Sequence, residues 1–516
     1  MSLRFEAVPL RLGGSGDLEA ARSAQSSRRF PAAAAGALLG RGEAARGLEQ
    51  LLGGKALAVT TGQQAGLFTG PLYAVHKALT AAALARALAE RWGERVVPVF
   101  WVAGDDHDFA EINHCTVLGA DGKATRIVVR ERAAEAPMLP AYREPVGPEG
   151  AAALARLESL LPPSEFRADA LAWLAGAYTA ERSMAEACAV ALAELLAPHG
   201  VVVCRGWHGD LKRAAGGVML EAARQAAALD RALQVHSERL RSRGRETPVA
   251  VGEGNSLLMV EAAQGRDRLR IAGADGFTTR RGGEAFDTQA LARLLEQDPE
   301  RLSANVLLRP AVEAALLPTV AYVGGPGELA YLAQAGPVFE GLGVPRPVRA
   351  PRLSGFLVEA KVDRVLERFG LAPQDLARSD GELASRVARE DLPGDAAQAL
   401  AELRRAITDG YAGLKTATAA VDRSLEKPVE NARNQALLGT QEIEKKLVAA
   451  LRRGNDTALQ QLARSREQLF PEGQPQERVL TAVSVLSRHG ATSLDLLLAA
   501  AQAHASLVLD GPTMEP

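Results

Sequence analysis

Two apolar runs of this sequence each end at a glycine that is followed at once by polar residues. Residues 58–62 lead into Gln63 and Gln64, and residues 96–104 lead into a cluster of acidic and imidazole side chains. Between them, residues 72–92 place apolar side chains at helical spacing. Strand, helix and strand in this order form a βαβ unit, and an open α/β sheet binds small ligands at the carboxyl ends of its strands. The sequence therefore predicts an α/β fold with its chemistry at these two strand ends.

The composition narrows the class of protein. The 516 residues include 60 basic and 62 acidic side chains without a basic face, so we do not expect a nucleic-acid binder. The three cysteines form no C-x-x-C pair, which is typical of a reducing cytosol. The first residues lack the pattern of a secretory signal, and apolar runs such as residues 497–501 are too short to cross a bilayer. We expect a cytoplasmic protein of two or three domains without a membrane partner.

The segments around the βαβ unit extend the predicted core. Residues 13–16 predict a turn, and peripheral elements are predicted for about residues 120–300, with an antiparallel ribbon at residues 248–280. Residues 305–310 and 318–323 are both typical of strands. The second of these runs into a glycine turn, so we place both strands in the main sheet.

The last third of the chain has a different pattern. Apolar residues recur at three-four spacing in residues 400–421 and again in residues 429–469. Two long helices that reverse near Lys427 and Pro428 are predicted to form an antiparallel coiled-coil arm, and such an arm commonly pairs with the same arm of another subunit. The sequence thus predicts three parts: a core at 1–380, the arm at 381–470, and C-terminal helices at 471–516 that return to the core.

His76 and Lys77 lie close to the start of the predicted helix, after Gly70 and Pro71. Backbone amides at a helix N-terminus, an imidazole and an ammonium group together favour an anion, so phosphate binding is one interpretation. The alternative is that a histidine and a lysine on an amphipathic helix serve only packing and solubility.

The segment after the second strand carries acidic or imidazole groups at six of ten positions: Asp105, Asp106, His107, Asp108, Glu111 and His114. These groups would repel and desolvate one another unless they shared a ligand, a cation or a proton. The pattern favours general acid/base chemistry or an amine site over a solvated loop of helix-capping aspartates. Zinc bound by His107, His114 and Cys115 is a weaker hypothesis, because adjacent His114 and Cys115 fit one tetrahedral site poorly.

The glycine turn after residue 323 nominally fits G-x-G-x-x-A. The acidic residue expected about twenty positions later is missing and Pro326 interrupts the motif, so we do not predict a dinucleotide site. A tight turn that contacts a nucleotide or substrate remains a reasonable interpretation. Arg352 and Ser354, beyond the next strand, could hold the distal phosphates of a triphosphate.

Three motifs carry a resemblance to a known family. Residues 61–77 read TGQQAGLFTGPLYAVHK, residues 98–114 read PVFWVAGDDHDFAEINH, and residues 317–328 read LPTVAYVGGPGE. Together they closely resemble the bacillithiol biosynthesis cysteine-adding enzyme family, and the resemblance spans essentially the whole chain.

The resemblance implies a cytoplasmic ligase that joins cysteine to glucosaminyl-malate in the last step of bacillithiol synthesis. It implies a Rossmann-like core similar to that of nucleotidyltransferases and class I aminoacyl-tRNA synthetases, and a homodimer built on the coiled coil. By this resemblance, residues 70–76 correspond to the first nucleotide-binding motif of those enzymes. Residues 351–354 correspond to their second nucleotide-binding motif.

Amide formation requires an activated carboxylate, so we expect ATP or another nucleoside triphosphate with Mg²⁺ and no protein-bound metal. The nucleotide would form an acyl-adenylate or, less favoured, an acyl-phosphate, with developing charge stabilised by cationic side chains. The predicted catalytic residues are His76, Lys77, Asp106, His107, Asp108 and Glu111. The predicted phosphate-binding residues are His76, Lys77, Arg352 and Ser354. The predicted substrate-binding residues are Gln63, Gln64, Gly70, Tyr73, Asp105, Asn113, His114, Tyr322, Gly324, Gly325 and Glu328.

Two departures from the family pattern bear on substrate identity and activity, and two alternatives to the ligase stay open. The chain has Glu313 and Ala314 where relatives are expected to carry Gln-Asp, and Phe356 where a Thr is expected. One alternative is a metal-dependent hydrolase that uses His107 and His114. The other is a dimeric scaffold whose catalytic cleft has decayed.

Overall fold

The structure, a computed structural model, describes residues 3–8, 17–379, 381–383, 393–454 and 456–510. The turn predicted at residues 13–16 lies outside them, as do residues 384–392 of the predicted arm. The chain divides into two compact units, one of Leu3–Leu357 with Gln476–Pro516 and one of Val358–Pro475.

The strands and helices are numbered in chain order. The strands are β1 Leu3–Ala7, β2 Leu38–Leu39, β3 Ala56–Gln64, β4 Arg95–Ala103, β5 His114–Leu118, β6 Ala124–Val128, β7 Val202–Arg205, β8 Asn255–Ala262, β9 Gly265–Ile271, β10 Gly276–Thr279, β11 Ala285–Asp287, β12 Leu302–Ala304, β13 Thr319–Gly324, β14 Val348–Pro351 and β15 Gly355–Glu359. The α-helices are α1 Leu18–Gln25, α2 Glu43–Leu52, α3 Tyr73–Trp92, α4 Phe109–Ile112, α5 Glu149–Leu160, α6 Arg167–Ala177, α7 Met184–Leu195, α8 Gly209–Arg224, α9 Ala226–Ser242, α10 Thr288–Gln297, α11 Arg309–Leu316, α12 Pro326–Gln334, α13 Gly336–Gly341, α14 Ala360–Arg368, α15 Gly394–Ala419, α16 Glu426–Gly454, α17 Asp456–Leu469, α18 Gln476–Val479, α19 Ala482–His489 and α20 Thr492–Asp510.

A six-stranded sheet in the order β14-β13-β3-β4-β7-β2 forms the centre of the first unit. The first five strands are parallel, and β2 pairs antiparallel with β7. Parallel strands need a crossover between them, and α3 supplies the crossover from β3 to β4. The prediction of an α/β core organised on a βαβ unit is confirmed.

Both faces of this sheet are buried. Successive residues of β3 alternate between two hydrophobic clusters, with Ala58 in one and Val59 in the other, as the period of a strand requires. Helix α3 lies in the cluster of Val59 and packs against α20. Among the described residues, only α20 has the length and composition of a membrane-spanning helix. Its residues Leu497 and Ala501 are buried in the cluster that contains α3.

A second, antiparallel sheet in the order β11-β10-β9-β8-β12 confirms the ribbon predicted at residues 248–280. The strand predicted at residues 305–310 is wrong, because α11 begins at Arg309. The Asn305 side-chain oxygen accepts hydrogen bonds from the backbone N–H groups of Leu307 and Leu308, both at 3.0 Å. This local bond turns the chain into a helix with Pro310 in its first turn, where a proline is tolerated.

The second unit contains the helical arm. Helices α15 and α16 lie against each other and are joined by a turn at residues 420–425. The reversal therefore precedes Lys427 and Pro428, which lie in the first turn of α16. Ion pairs tie the two helices together, with Arg404 Nη2 at 2.5 Å from Glu444 Oε2 and Lys415 Nζ at 2.5 Å from Glu430 Oε1.

Candidate active site

A cavity of about 680 Å³ lies at the carboxyl ends of the parallel strands. Strand β3 contributes Gly62, Gln63 and Gln64 to its wall, and the segment after β4 contributes a set of acidic residues. Residues after β7, β13 and β14 also line it, as do residues of β8, β9, β12, α8 and α11. The main sheet therefore delivers side chains of distant sequence position to one hollow, as expected for an open α/β sheet.

The acidic side of the cavity is formed by Asp105, Asp106 and Glu111. Lys212 Nζ lies 2.8 Å from Asp105 Oδ1. The Gln64 amide donates to Asp106 Oδ2 at 2.7 Å and also to the Glu111 carboxylate. Burial acts to raise the pKa of Asp106, but the nearby Arg266 charge and these hydrogen bonds lower it overall. Asp106 therefore stays ionised at neutral pH.

His107 lines the same cavity, whereas Asp108 does not. Burial and the positive charge of Arg266 lower the pKa of His107 to about 4, so its ring is neutral at pH 7. Its Nδ1 atom lies 3.3 Å from Arg266 Nη1 and accepts that hydrogen bond, which leaves the ring proton on Nε2. Asp108 instead caps α4 by accepting from the Glu111 backbone N–H at 3.3 Å, so its position is that of a helix cap.

Lys77 of α3 also lines the cavity, and its buried side chain reaches the end of β3. Its Nζ atom lies 2.5 Å from Glu328 Oε2, 2.7 Å from Gln63 Oε1 and 2.9 Å from the Gly62 carbonyl oxygen. Burial lowers the pKa of Lys77 while the Glu328 charge opposes that shift. The Gln63 amide in turn donates to the Tyr73 hydroxyl at 2.9 Å. Lys77, Gln63 and Tyr73 are thus held in one orientation.

His76 points away from this cavity, so the structure does not bring it to one anion together with Lys77. Its Nδ1 atom donates to Glu477 Oε2 at 3.0 Å, and the ring is 1% exposed. Glu477 Oε1 lies 2.6 Å from Arg352 Nη2, and Arg352 does line the cavity. Burial acts to raise the pKa of Glu477, but the bonds from His76 and Arg352 lower it to about 2. His76 therefore contacts the site only through Glu477 and Arg352.

Ser354 supports the same arginine. Arg352 Nη1 donates to Ser354 Oγ at 2.9 Å and to the Leu353 carbonyl at 2.8 Å. Ser354 itself does not line the cavity. It orients the guanidinium group.

The turn after β13 forms the wall beside Lys77. Glu328 Oε2 accepts from the Gly325 backbone N–H at 2.9 Å and thereby caps α12, while Glu328 Oε1 accepts from the Tyr322 hydroxyl at 3.1 Å. Arg309 donates to the same hydroxyl at 3.3 Å and pairs with buried Glu313. All four residues predicted to bind substrate in this region can now be placed. The cavity is lined by Tyr322, Gly325 and Glu328, whereas Gly324, the last residue of β13, lies outside it.

Three further residues predicted to bind substrate lie elsewhere. Gly70 is buried with a φ of 71° in the turn before α3, a backbone conformation that favours glycine. Asn113 donates to the Arg130 carbonyl at 2.9 Å, and His114 Nδ1 lies 3.2 Å from Asn113 Oδ1. Among the described residues, no group of three or more His, Cys, Asp or Glu side chains could hold a metal ion. The hydrolase alternative therefore lacks a ligand set in that part of the chain.

Several cavity residues were missed by the sequence interpretation: Lys212, Arg266, Arg268, Asn305 and Arg309. Arg266 and Arg268 alternate on β9, so period-two patterning could have placed them on one face of the ribbon. Glu477 does not line the cavity, and no local pattern marks it as a partner of Arg352.

Two matches to known families bear on this chain. Residues 37–353 match the family described as bacillithiol biosynthesis BshC, N-terminal Rossmann-like domain, and residues 355–506 match the one described as bacillithiol biosynthesis BshC, C-terminal coiled-coil domain. The chain belongs to the BshC family. This confirms the resemblance inferred from the motifs and the predicted fold class, a Rossmann-like α/β domain followed by a helical coiled-coil domain. The family assignment makes the protein a ligase of bacillithiol biosynthesis.

Relatives in several bacteria carry the name "Putative cysteine ligase BshC". The chain is 33% identical over 465 residues to the protein of Koribacter versatilis, covering 89% of this chain and 84% of the relative. It is 31% identical over 456 residues to that of Salinibacter ruber, covering 87% and 81%. It is 30% identical over 464 residues to that of Geobacillus kaustophilus, covering 88% and 83%.

The residues that depart from the expected BshC pattern are buried. Glu313 pairs with Arg309 at the cavity wall, and Ala314 packs in a hydrophobic cluster. Phe356 is buried in β15. Through this pair Glu313 contacts a residue that lines the cavity.

Proposed function

We propose that this protein joins L-cysteine to glucosaminyl-malate by forming an amide bond, using a nucleoside triphosphate to activate a carboxylate. One observation carries the proposal: a single cavity is lined both by the cations Lys77, Arg309 and Arg352 and by the carboxylates Asp106 and Glu111. Phosphates suit the cations, and substrate ammonium groups suit the carboxylates. We take cysteine as one substrate because the relatives are named cysteine ligases.

Activation is needed because a free carboxylate is a poor electrophile. Transfer of a nucleotidyl group to the carboxylate gives an acyl-adenylate and releases pyrophosphate, and attack by the acceptor amine then forms the amide and releases AMP. Lys77 and Arg352 balance the negative charge that develops on the phosphates, which is where a preorganised cation lowers a barrier most. The Glu328 and Glu111 carboxylates are hard oxygen ligands of the kind that Mg²⁺ accompanying a nucleotide prefers.

The acceptor amine must lose a proton as it attacks. Asp106 is ionised and can hold the ammonium form, and Asp106 or Glu111 can take the proton. His107 carries its proton on Nε2 and is suited to donating a hydrogen bond to the substrate. We therefore assign the base to a carboxylate.

We also propose that the protein is a cytoplasmic homodimer formed through the arm. The support is a set of exposed apolar side chains on and between its two long helices: Leu403 at 44%, Leu414 at 48%, Val421 at 84%, Leu438 at 56% and Ile443 at 50% exposure. Exposed apolar side chains in such number are typical of a helix pair that meets a partner. Light scattering on the purified protein measures the oligomeric state, and a monomer at micromolar concentration would contradict the dimer.

The ligase assignment is tested with purified protein, cysteine, glucosaminyl-malate, ATP and Mg²⁺. Mass spectrometry of the product and separate assays for AMP and ADP establish whether an amide forms and which nucleotide is released. Lys77→Met is expected to lose most activity, whereas Lys55→Met, which removes an exposed lysine before β3, is expected to keep it. A folded protein that forms no amide and consumes no nucleotide would overturn the proposal.

A further inference from the structure

The cationic side chains of the cavity differ in whether the fold neutralises them. Four of them each contact a carboxylate of the same chain: Lys77 with Glu328, Lys212 with Asp105, Arg309 with Glu313, and Arg352 with Glu477. Such pairs offset the cost of burying charge and leave these cations compensated before any ligand arrives.

Arg266 and Arg268 on β9 are different. Arg266 is 9% exposed, and within the described part of the chain it donates to neutral acceptors: Ser303 Oγ at 2.9 Å, the Ala304 carbonyl at 2.8 Å and His107 Nδ1 at 3.3 Å. The Arg268 side chain has no hydrogen-bond acceptor or carboxylate partner among the described residues. Asp106 lies near enough for the Arg266 charge to lower its pKa, but it forms no ion pair with Arg266 in the described part of the chain. Two guanidinium charges thus face the cavity with one nearby carboxylate for both, which favours an anionic ligand.

The charges around this pair reinforce that conclusion. Burial and the positive charges of Arg280 and Arg266 lower the pKa of Arg268. The intervening Asp267 is committed to Arg281, whose Nε atom lies 3.3 Å from its Oδ1. It therefore does not neutralise the pair. An entering carboxylate would relieve the repulsion between the two arginines.

The spacing of the pair suits more than one anionic group. Arg266 and Arg268 are two residues apart on one strand, so they project from the same face with Cα atoms about 7 Å apart. Each guanidinium presents a planar fork that matches a carboxylate. Asn305 also lines the cavity, and its Oδ1 is used by two backbone N–H groups, so its Nδ2 is left to donate. Two forks and an amide donor match a dicarboxylate.

We propose that Arg266, Arg268 and Asn305 form an anion subsite that binds the malyl dicarboxylate of the acceptor, separate from the phosphate-binding side at Lys77 and Arg352. The inference rests on the proposed function and deepens it by assigning a position to one substrate. Arg266 contacts His107, which follows Asp106, so the subsite adjoins the carboxylates proposed to hold the acceptor amine. The acceptor would thus be held at both of its charged ends.

Arg268→Gln is the test variant, because Arg266 ties β9 to β12 and its removal could unfold the protein. Arg270→Gln is the matched control, since Arg270 lies on the same strand but is exposed and outside the cavity. Loss of a charge-assisted contact to a carboxylate is expected to raise KM for glucosaminyl-malate about 10- to 100-fold. KM for cysteine and for the nucleotide should not change, and neither should KM for methyl glucosaminide, which lacks the malyl group.

A second measurement separates the subsite from the ligase assignment. Calorimetry with L-malate alone is expected to show binding to the unmodified protein and to Arg270→Gln, and weaker binding to Arg268→Gln. If no amide forms but malate binding depends on Arg268, the proposed function fails and the subsite stands. If Arg268→Gln instead raises KM for the nucleotide, or leaves both malate binding and the acceptor KM unchanged, the subsite is overturned.

Discussion

The Glu477 carboxylate joins three groups of the first unit. It accepts hydrogen bonds from His76, from Arg352 and, at 3.2 Å, from the Gly355 backbone N–H. The side chain is buried, so both its negative charge and the positive charge of Arg352 depend on this pairing. Removing one partner of a buried pair leaves the other uncompensated.

We expect Glu477→Gln to lower the free energy of unfolding by about 3 to 5 kcal/mol, because the amide keeps the shape but not the charge. Chemical denaturation followed by circular dichroism measures this. Glu90→Gln on the exposed side of α3 is the control and should change stability by less than about 0.5 kcal/mol. Equal stability of the two variants would show that the pair does not stabilise the fold.

The same carboxylate predicts acid sensitivity. Its pKa is about 2 in the folded protein, below the ordinary value of 4.5, so the unfolded chain binds this proton more readily. The stabilisation is therefore fully present above about pH 4.5 and is lost as the pH falls toward 2. We expect the stability difference between the unmodified protein and Glu477→Gln to shrink over this window. Parallel stability curves from pH 7 to 2.5 would contradict the lowered pKa.

The effects of substituting Asp106 and Asp108 should differ, because Asp106 lines the cavity whereas Asp108 caps α4. We expect Asp106→Asn to lower kcat/KM at least about 100-fold, because it removes the carboxylate that we propose to hold or deprotonate the acceptor amine. Asp108→Asn should keep activity and stability, since asparagine caps a helix as well as aspartate does. Steady-state kinetics of the two variants measure this difference in activity. Loss of activity in the Asp108 variant would restore the role that the sequence predicted for it.

At the scale of elements, the turn before α3 sets the direction of the helix that carries Tyr73 and Lys77. Phe68 and Thr69 adopt positive φ values of 49° and 75°, a strained conformation for residues with side chains. The Tyr178 hydroxyl accepts from the Thr69 backbone N–H at 2.8 Å and donates to the Gly66 carbonyl at 3.1 Å. Tyr178 therefore supports the strained turn through both of its hydrogen-bonding roles.

We expect Tyr178→Phe to lower the free energy of unfolding by about 1 to 3 kcal/mol, because it leaves the buried Thr69 N–H without its acceptor. It should also reduce kcat, since the start of α3 loses part of its support. Urea denaturation and steady-state assays measure the two effects. Tyr411→Phe in the arm is the control, and a Tyr178 variant that matched it in stability would show that the turn needs no support.

The helices and strands could be predicted where a short stretch of sequence carries the pattern that forms them. Strand β3, helix α3 and strand β4 follow from apolar spacing and glycine stops, and the polar residues after each strand located the cavity. Residues 305–310 were misread because their apolar run fits a strand, while a side-chain bond from Asn305 starts a helix. The part of the cavity formed by β9 could not be predicted, because no local pattern records that a strand about 200 residues beyond β3 lines the same cavity.

At the scale of the whole molecule, the site depends on contacts that no local pattern records. His76 and Glu477 are separated by 401 residues. The sequence predicted that residues beyond 470 return to the core, yet it did not indicate which side chain would reach Arg352. His76 could be selected by its position at the start of α3, but its burial against Glu477 depends on the folded chain.

The arm can be removed in a way that tests this organisation. Leu357 and Gln476 exchange hydrogen bonds, with Leu357 N–H donating to Gln476 Oε1 at 2.6 Å and Gln476 Nε2 donating to the Leu357 carbonyl at 3.3 Å. Because these residues adjoin, a short Gly/Ser linker can replace residues 358–475. We expect the shortened protein to be a folded monomer, measured by circular dichroism and light scattering. An unfolded product would show that the first unit needs the arm.

Glu477 follows every strand of the main sheet in the sequence, which has a consequence for biosynthesis. Ribosomes complete these strands before they add this residue, and until then Arg352 and His76 lack the carboxylate that they contact in the folded chain. A product truncated within the arm would possess the sheet but lack the contact that fixes its arginine. We therefore expect the site to be completed late in translation, and we expect chains that terminate before Glu477 not to compete with longer chains for ligands.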